Sequence, residues 1–283
     1  MKLAQVRIAA TGALSAAIVH QNGYRLIISH TMASLIRQAE QEGRGLADLA
    51  EELALVDPVM LELAMPVTPS EVWACGCSYA PSAEFRDGEL GAGEGPYGYV
   101  SDPAHRPELF FKGTARVCVG PNEPVGIRPD STFTAPEPEL ALVLDSRARI
   151  VGYTLGNDVS AWDIERENPL YLPQSKVYDR CCALGPFLVT PDEIDDPYQL
   201  DMTCSIRRHG DVTFEGKAST AQLRRRFEEL VECLRLGNSI PAATVLLTGT
   251  GIIVTQEAAL APGDVVTIDV PGLGCLVNPA VAA

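Results

Sequence analysis

The chain changes texture along its length. Before residue 31, apolar segments on either side of Gln21-Asn22-Gly23-Tyr24 predict two opening strands joined by a hairpin turn. From 31 to about 55, Leu35, Ile36, Ala39, Leu46, Leu49 and Leu53 recur at the spacing of one buried helix face, with a break at Gly43 and Gly45. Pro58 and Pro66 close this part. The pattern therefore predicts a small N-terminal αβ domain over 1–66 and a larger domain over 67–283. From Glu71 onward, short apolar runs punctuated by Gly and Pro take over, at 72–75, 109–111, 139–144, 150–155, 187–190, 202–207, 245–248 and 265–270. That rhythm predicts a mainly antiparallel β-architecture, hence an α+β, mainly β chain. One helix interrupts it, from 219 to about 236, with Leu223, Phe227, Leu230 and Leu234 on one face. Its Arg224-Arg225-Arg226 run reads as a solvated face or subunit contact. The stretch from Ser82 to Pro107 carries Gly88, Gly91, Gly93, Gly95 and Gly98 with little apolar periodicity. It reads as a long loop of the kind that forms lids and binding loops, with a disordered insertion as the plainer alternative.

Composition narrows the function. The 283 residues are 46% hydrophobic, enough for a sizeable core, and 24 Gly and 21 Pro are dispersed rather than gathered into a linker. A formal net charge of -15 argues against nucleic acid or an anionic membrane as the main partner. An anionic substrate would then need local positive charge from a metal, Lys or Arg. The apolar run from Ile8 to Val19 superficially resembles a signal peptide, but Arg7 and the following hairpin turn favour strands. No segment is long and apolar enough to span a membrane. The eight cysteines have neither metal-binding nor disulfide-framework spacing, so they read as buried free thiols of a protein in the reducing cytoplasm. The four histidines, His20, His30, His105 and His209, form no ligand pair, which argues against zinc.

The chemistry concentrates at Ala135-Pro136-Glu137-Pro138-Glu139-Leu140-Ala141-Leu142-Val143-Leu144-Asp145 and the returning Ile150-Val151-Gly152-Tyr153-Thr154-Leu155-Gly156-Asn157-Asp158. Side chains alternate along a strand, so Glu137 and Glu139 share a face. If Ser146 to Arg149 form the loop, Asp145 pairs with Ile150 and Asp158 falls opposite Glu137. Three carboxylates that close repel unless a cation or proton neutralises them. Oxygen-only ligation suits Mg²⁺, with Mn²⁺ or Ca²⁺ as substitutes. Solvated strand-end acids are the alternative, and an assumed register leaves both open.

Ordered motifs from Val72 to Pro279 resemble the fumarylacetoacetate hydrolase superfamily. They are Cys75-Gly76-Cys77-Ser78-Tyr79, Phe110-Phe111-Lys112-Gly113, Glu137-Pro138-Glu139-Leu140-Ala141, Gly156-Asn157-Asp158-Val159-Ser160-Ala161, Lys176 before Leu184-Gly185-Pro186, Thr248-Gly249-Thr250-Gly251 and Pro262-Gly263-Asp264-Val265-Val266. The resemblance implies a β-roll of mixed sheets behind a small N-terminal domain. It also implies a divalent metal on Glu137, Glu139 and Asp158, and a homodimer or homotetramer. Two departures matter. Hydrolases of the family generally carry a histidine where this chain has Ser82, and serine cannot accept a proton near neutral pH as imidazole does. The segment Glu167-Asn168-Pro169-Leu170-Tyr171-Leu172-Pro173-Gln174-Ser175-Lys176, together with Arg106-Pro107-Glu108-Leu109, resembles the branch that dehydrates 2-keto-3-deoxy sugar acids.

That branch implies a small 2-keto acid substrate and, for a pentonate, 2,5-dioxopentanoate as product. Lys176 is the candidate base for the C3 proton, a role that needs its pKa lowered; a salt bridge to the carboxylates is the alternative. Glu108 is the candidate acid for the departing hydroxyl, or else a solvated loop carboxylate. Ser78, Ser82, Arg86, Lys112 and Thr250 are candidate substrate contacts, and Gly249 to Gly251 suit close approach of backbone to a ligand. The competing reading is a C–C bond hydrolase or decarboxylase acting on acylpyruvate-like diketo acids at the same metal site.

Overall fold

A computed structural model describes residues 1–89 and 95–283. Three antiparallel strands open the chain: β1 (Lys2–Arg7), β2 (Leu14–His20) and β3 (Gly23–Ile27). His20 faces Gly23 across the tight turn expected there. Helix α1 (Met32–Glu42) begins where Thr31 and Ser34 satisfy each other's backbone N–H groups, and ends at Gly43. Helix α2 (Leu46–Leu53) follows from Gly45, so the helical stretch breaks at the two glycines as the pattern predicts. Strand β4 (Glu62–Ala64) returns alongside β1.

Strand β5 (Val72–Gly76) leads into α3 (Ala80–Glu89), and α4 (Pro96–Ser101) precedes β6 (Glu108–Gly113). The stretch expected as a loop thus holds two helices. Its buried positions are small or polar, among them Ser82, Ala83, Asp87 and Ser101, so no apolar stripe announces them. The Asp87 carboxylate accepts from the Tyr97 and Gly98 N–H groups at 3.2 and 2.7 Å, which ties α3 to the start of α4. Gly91 and Gly93 lie outside the described residues.

Short strands β7 (Cys118–Val119), β8 (Val125–Ile127) and β9 (Thr134–Ala135) lead to the long hairpin β10 (Pro138–Leu144) and β11 (Ile150–Asp158). Then come β12 (Ser160–Ala161), α5 (Trp162–Glu167), α6 (Leu172–Lys176), β13 (Cys182–Val189), β14 (Asp201–Arg208) and β15 (Asp211–Ser219). Helix α7 (Phe227–Arg235) precedes β16 (Thr244–Leu247), β17 (Val265–Val270) and β18 (Gly274–Ala282).

Eleven strands make one mixed sheet along the path β3-β2-β1-β13-β11-β10-β16-β5-β6, with β4 and β7 attached at β1 and β13. A five-stranded sheet, β15-β14-β17-β18-β8, and the β12–β9 pair complete the mainly β, α+β architecture that the sequence predicts. Because β1 pairs with β13, the N-terminal segment shares the large sheet, and Leu3, Leu35 and Ile36 cluster with Val143, Leu184 and Val245.

Two expectations are corrected. The helix expected from 219 is shorter: the chain extends as β15 to Ser219, a capped single turn follows, and α7 starts only at Phe227. Arg225, expected in a solvated run, is 1% exposed. Its guanidinium donates to the Val100 and Asp102 carbonyls, both at 2.6 Å, and pairs with Glu229, so it ties the end of α4 to the start of α7. All eight cysteines are free; five are buried, Cys118 and Cys233 are half-buried and Cys275 is exposed. No described helix is long and apolar enough to cross a membrane.

Candidate metal centre and active site

The β10–β11 hairpin builds the centre. Pro138 pairs with Asn157, and the Asp158 N–H donates to the Glu137 carbonyl at 2.9 Å, which sets Glu137 opposite Asp158 as counted from the sequence. The loop end differs. A bulge at Val143/Leu144 pairs Leu144 with Ile150 and leaves Asp145 in the turn. There its carboxylate accepts from the Arg147 and Arg149 N–H groups at 3.0 and 2.8 Å. The slip lies beyond the bulge and does not reach the acidic end. Ligand oxygens of Glu137, Glu139 and Asp158 all lie within 4.8 Å of one another, and all three residues are buried.

Three cations face them. Lys176 ends α6, which is fixed by the Ser175 hydroxyl donating to the Ala161 carbonyl at 2.8 Å. Its Nζ reaches Glu137 at 2.9 Å, Asp158 at 3.2 Å and the Ser160 hydroxyl at 2.7 Å. Lys112, from β6, pairs with Asp158 and donates to the Val159 carbonyl at 3.0 Å. Arg86, from α3, pairs with Glu165 and reaches Glu137 at 3.2 Å. The Trp162 Nε1–H also donates to Glu137, and the Gly249 N–H donates to Glu139.

This surrounding splits the carboxylates electrostatically. Burial pushes Glu137 up, but Lys176 and Arg86 outweigh it and bring its carboxyl down to about 2. Burial pushes Glu139 well up, and the Asp158 and Glu137 charges push it further. Burial pulls Lys176 down, yet Asp158 and Glu137 hold its proton and leave it raised; Lys112 is raised the same way, chiefly by Asp158. Among the described residues, Glu139 of this oxygen-only triad is therefore left without a cationic partner of its own. A hard divalent ion fits that donor set.

The remaining candidates divide. Glu108 ends the β5–β6 pairing opposite Gly76, and a side chain at Gly76 would run into its carboxylate. Burial and then Glu165 push Glu108 up, against Arg86 and Lys176. Ser82 is buried one turn before Arg86 on α3. The Ser78 hydroxyl is spent on the Thr248 carbonyl. Thr250 closes a local turn, its Oγ accepting from the Ile252 N–H at 3.1 Å. Gly249 has φ +89°, and a Cβ there would meet Ser78 Oγ and the Cys75 carbonyl, so only glycine serves Glu139 in this way. Sequence reasoning missed Trp162, Glu165, Ser160 and Asn157, whose Oδ1 accepts from the Glu137 N–H at 3.1 Å. Their signal was position: all follow or adjoin Asp158, with Trp162 and Glu165 three residues apart on one helix face.

The chain matches known proteins over most of its length. The family model described as fumarylacetoacetate (FAA) hydrolase C-terminal matches residues 86–281. The 2-dehydro-3-deoxy-D-arabinonate dehydratase of Saccharolobus solfataricus is 48% identical over 222 residues, covering 77% of this chain and 74% of that protein. A probable 2-keto-3-deoxyxylonate dehydratase of Haloferax volcanii is 44% identical over 234 residues, covering 82% and 80%. A solved structure of 2-keto-3-deoxy-D-arabinonate dehydratase complexed with magnesium and 2,5-dioxopentanoate matches with a TM-score of 0.83 at 38% identity, over 100% of this chain and 99% of that one. The apo form matches over the same shares at 0.86 and 38%.

Proposed function

The chain belongs to the fumarylacetoacetate hydrolase family, and from that premise we propose that it is a metal-dependent hydro-lyase acting on a 2-keto-3-deoxy sugar acid. The substrate is a pentonate of the 2-keto-3-deoxy-D-arabinonate type, and the products are 2,5-dioxopentanoate and water. The observation that carries this reading is a buried lysine, Lys176, bonded to two of three clustered carboxylates, in a chain similar to two dehydratases. Hydrolysis has less support. Ser82 takes the place of histidine on α3, and among the described residues no histidine hydrogen-bonds to the triad.

Glu137, Glu139 and Asp158 would hold the ion, Mg²⁺ with Mn²⁺ or Ca²⁺ as substitutes. When bound, it supplies Lewis-acid polarisation of a 2-keto group, which makes the C3 proton more acidic. Lys176 would take that proton from its neutral form, which its ion pairs oppose and which an ion on the same carboxylates would favour. Its own proton is held by Asp158 and Glu137, the same charges that a divalent ion would neutralise, so ligation and base strength are linked. Glu108, kept more basic than a free carboxylate by burial, gives a proton to the departing C4 hydroxyl. Moving a proton from C5 to C3 then gives the C4–C5 enol, and moving its hydroxyl proton to C4 leaves an aldehyde at C5. Arg86 and Lys112 keep positive charge beside the acids for the substrate carboxylate.

Product identity tests the proposal. With Mg²⁺, mass spectrometry should show a 2-keto-3-deoxypentonate losing one water, with an acylpyruvate left nearly untouched. Cleavage of the acylpyruvate into two fragments, without dehydration of the pentonate, would reverse the assignment to a C–C bond hydrolase.

A further inference from the structure

We propose that Glu165 is the positioning residue for Arg86, fixing the guanidinium where it receives the carboxylate of a 2-keto acid; the inference rests on the dehydratase reading. Arg86 and Glu165 are 79 positions apart and reach each other from different elements. Arg86 rides on α3, while Glu165 sits on α5, which follows β12 just after the strand that carries Asp158. One terminal nitrogen of Arg86 pairs with Glu165 and the other reaches Glu137 at 3.2 Å. Two anchors on a planar fork fix its plane as well as its place. Trp162, one turn before Glu165, underlies the fork with its ring centroid 4.7 Å from the guanidinium carbon, and Tyr97 lies at 5.4 Å. Without Glu165, Arg86 would keep only the Glu137 anchor among the described residues and would be free to turn out of the plane that meets a ligand carboxylate.

The pair does not satisfy itself. Arg86 Nε and Glu165 Oε2 are buried and have no protein hydrogen-bond partner. A purely structural buried ion pair repays its desolvation only when such atoms are also bonded. Both residues line a cavity of about 20 Å³ with Tyr97, Trp162 and Arg166. That volume takes a single water, so the donor and acceptor left over beside the triad are a pair that one water can relay toward a ligand.

The test is a double-mutant comparison in the Mg²⁺-loaded protein, with pyruvate as a competing 2-keto acid that has a carboxylate and no hydroxyl. Glu165→Gln keeps the shape and removes the charge. It should weaken pyruvate inhibition and raise KM by about tenfold, with kcat changed by less than about threefold, as loss of a charge-assisted contact predicts. In an Arg86→Ala background, Glu165→Gln should add nothing further, because it acts through the missing guanidinium. Calorimetric titration with pyruvate reads the same affinity without turnover. A wild-type protein that makes no product defeats the dehydratase reading, whereas this inference is decided by the pyruvate affinities. It is overturned if Glu165→Gln leaves pyruvate affinity unchanged, or if its effect adds in full to that of Arg86→Ala.

Discussion

Lys176 is bonded to Glu137 and Asp158 and buried with them, and the proposed reaction makes it the base. Lys176→Met should cut turnover by about 10²- to 10⁴-fold, the usual range for losing a general base, while pyruvate still binds. Exchange of the C3 protons with deuterated solvent should fall equally. Exchange at the wild-type rate with dehydration abolished would move Lys176 to a later step and make Glu108 the next residue to replace. Glu139→Gln should weaken divalent-ion binding severely, since it removes charge from a hard-cation site, and Mn²⁺ titration of the variant checks this. Unaltered Mn²⁺ affinity would remove Glu139 from the ligand set. The three acids were legible in the sequence because strand alternation and an assumed hairpin register suggested a shared face and the family motifs named the same residues. Glu165 and Trp162 were not, because a helix as short as α5 holds too few residues to show a period.

At the scale of elements, α3 carries Arg86 and α4 packs beside it, and polar ties hold both. Arg225 is the largest such tie. Arg225→Met would remove the donor from the carbonyl of half-buried Val100 and from that of exposed Asp102, a cost of about 1 kcal/mol for each hydrogen bond lost. Amide hydrogen exchange should quicken over α4 and leave β10 and β11 protected. Uniform loss of protection, or none, would contradict a local tie. The same residue explains why α7 and the Arg224-Arg225-Arg226 run were misread. Periodicity weighs apolar positions, and an arginine that turns inward to cap another helix carries no such weight. The lid segment was misread for a related reason, since its buried residues are Ser82, Ala83, Asp87 and Ser101.

Across the whole molecule, long-range pairing joins the first strand to β13 and places the triad inside the large sheet. The mainly β class and most strand positions were legible from short apolar runs, but strand order was not, because adjacency such as β16 with β5 and β1 with β13 is settled by packing between distant segments. The buried acids also set how stability responds to pH. Glu137, held at about 2, contributes stability that is present above the ordinary carboxylate range and lost as pH falls toward that value. Glu139 is the reverse: its proton is held more tightly in the folded chain, so its contribution is present at low pH and lost as pH rises through the raised value. A divalent ion competes with that proton. Mg²⁺ should therefore raise the melting temperature more near about pH 8 than near about pH 5, with about 2.7 kcal/mol gained at a hundredfold excess over Kd. Scanning calorimetry with Mg²⁺ or EDTA checks this, and a melting temperature indifferent to Mg²⁺ at both pH values would count against the site.

The central claim is dehydration of a 2-keto-3-deoxy acid at the Glu137, Glu139 and Asp158 centre. The most direct measurement follows a carbon-labelled 2-keto-3-deoxypentonate by NMR with the wild-type protein and Mg²⁺, then again after EDTA. The account predicts a single aldehyde product, 2,5-dioxopentanoate, that keeps every labelled carbon, and no conversion once the ion is removed. Labelled carbon divided between two fragments, or conversion that continues undiminished in EDTA, would contradict it.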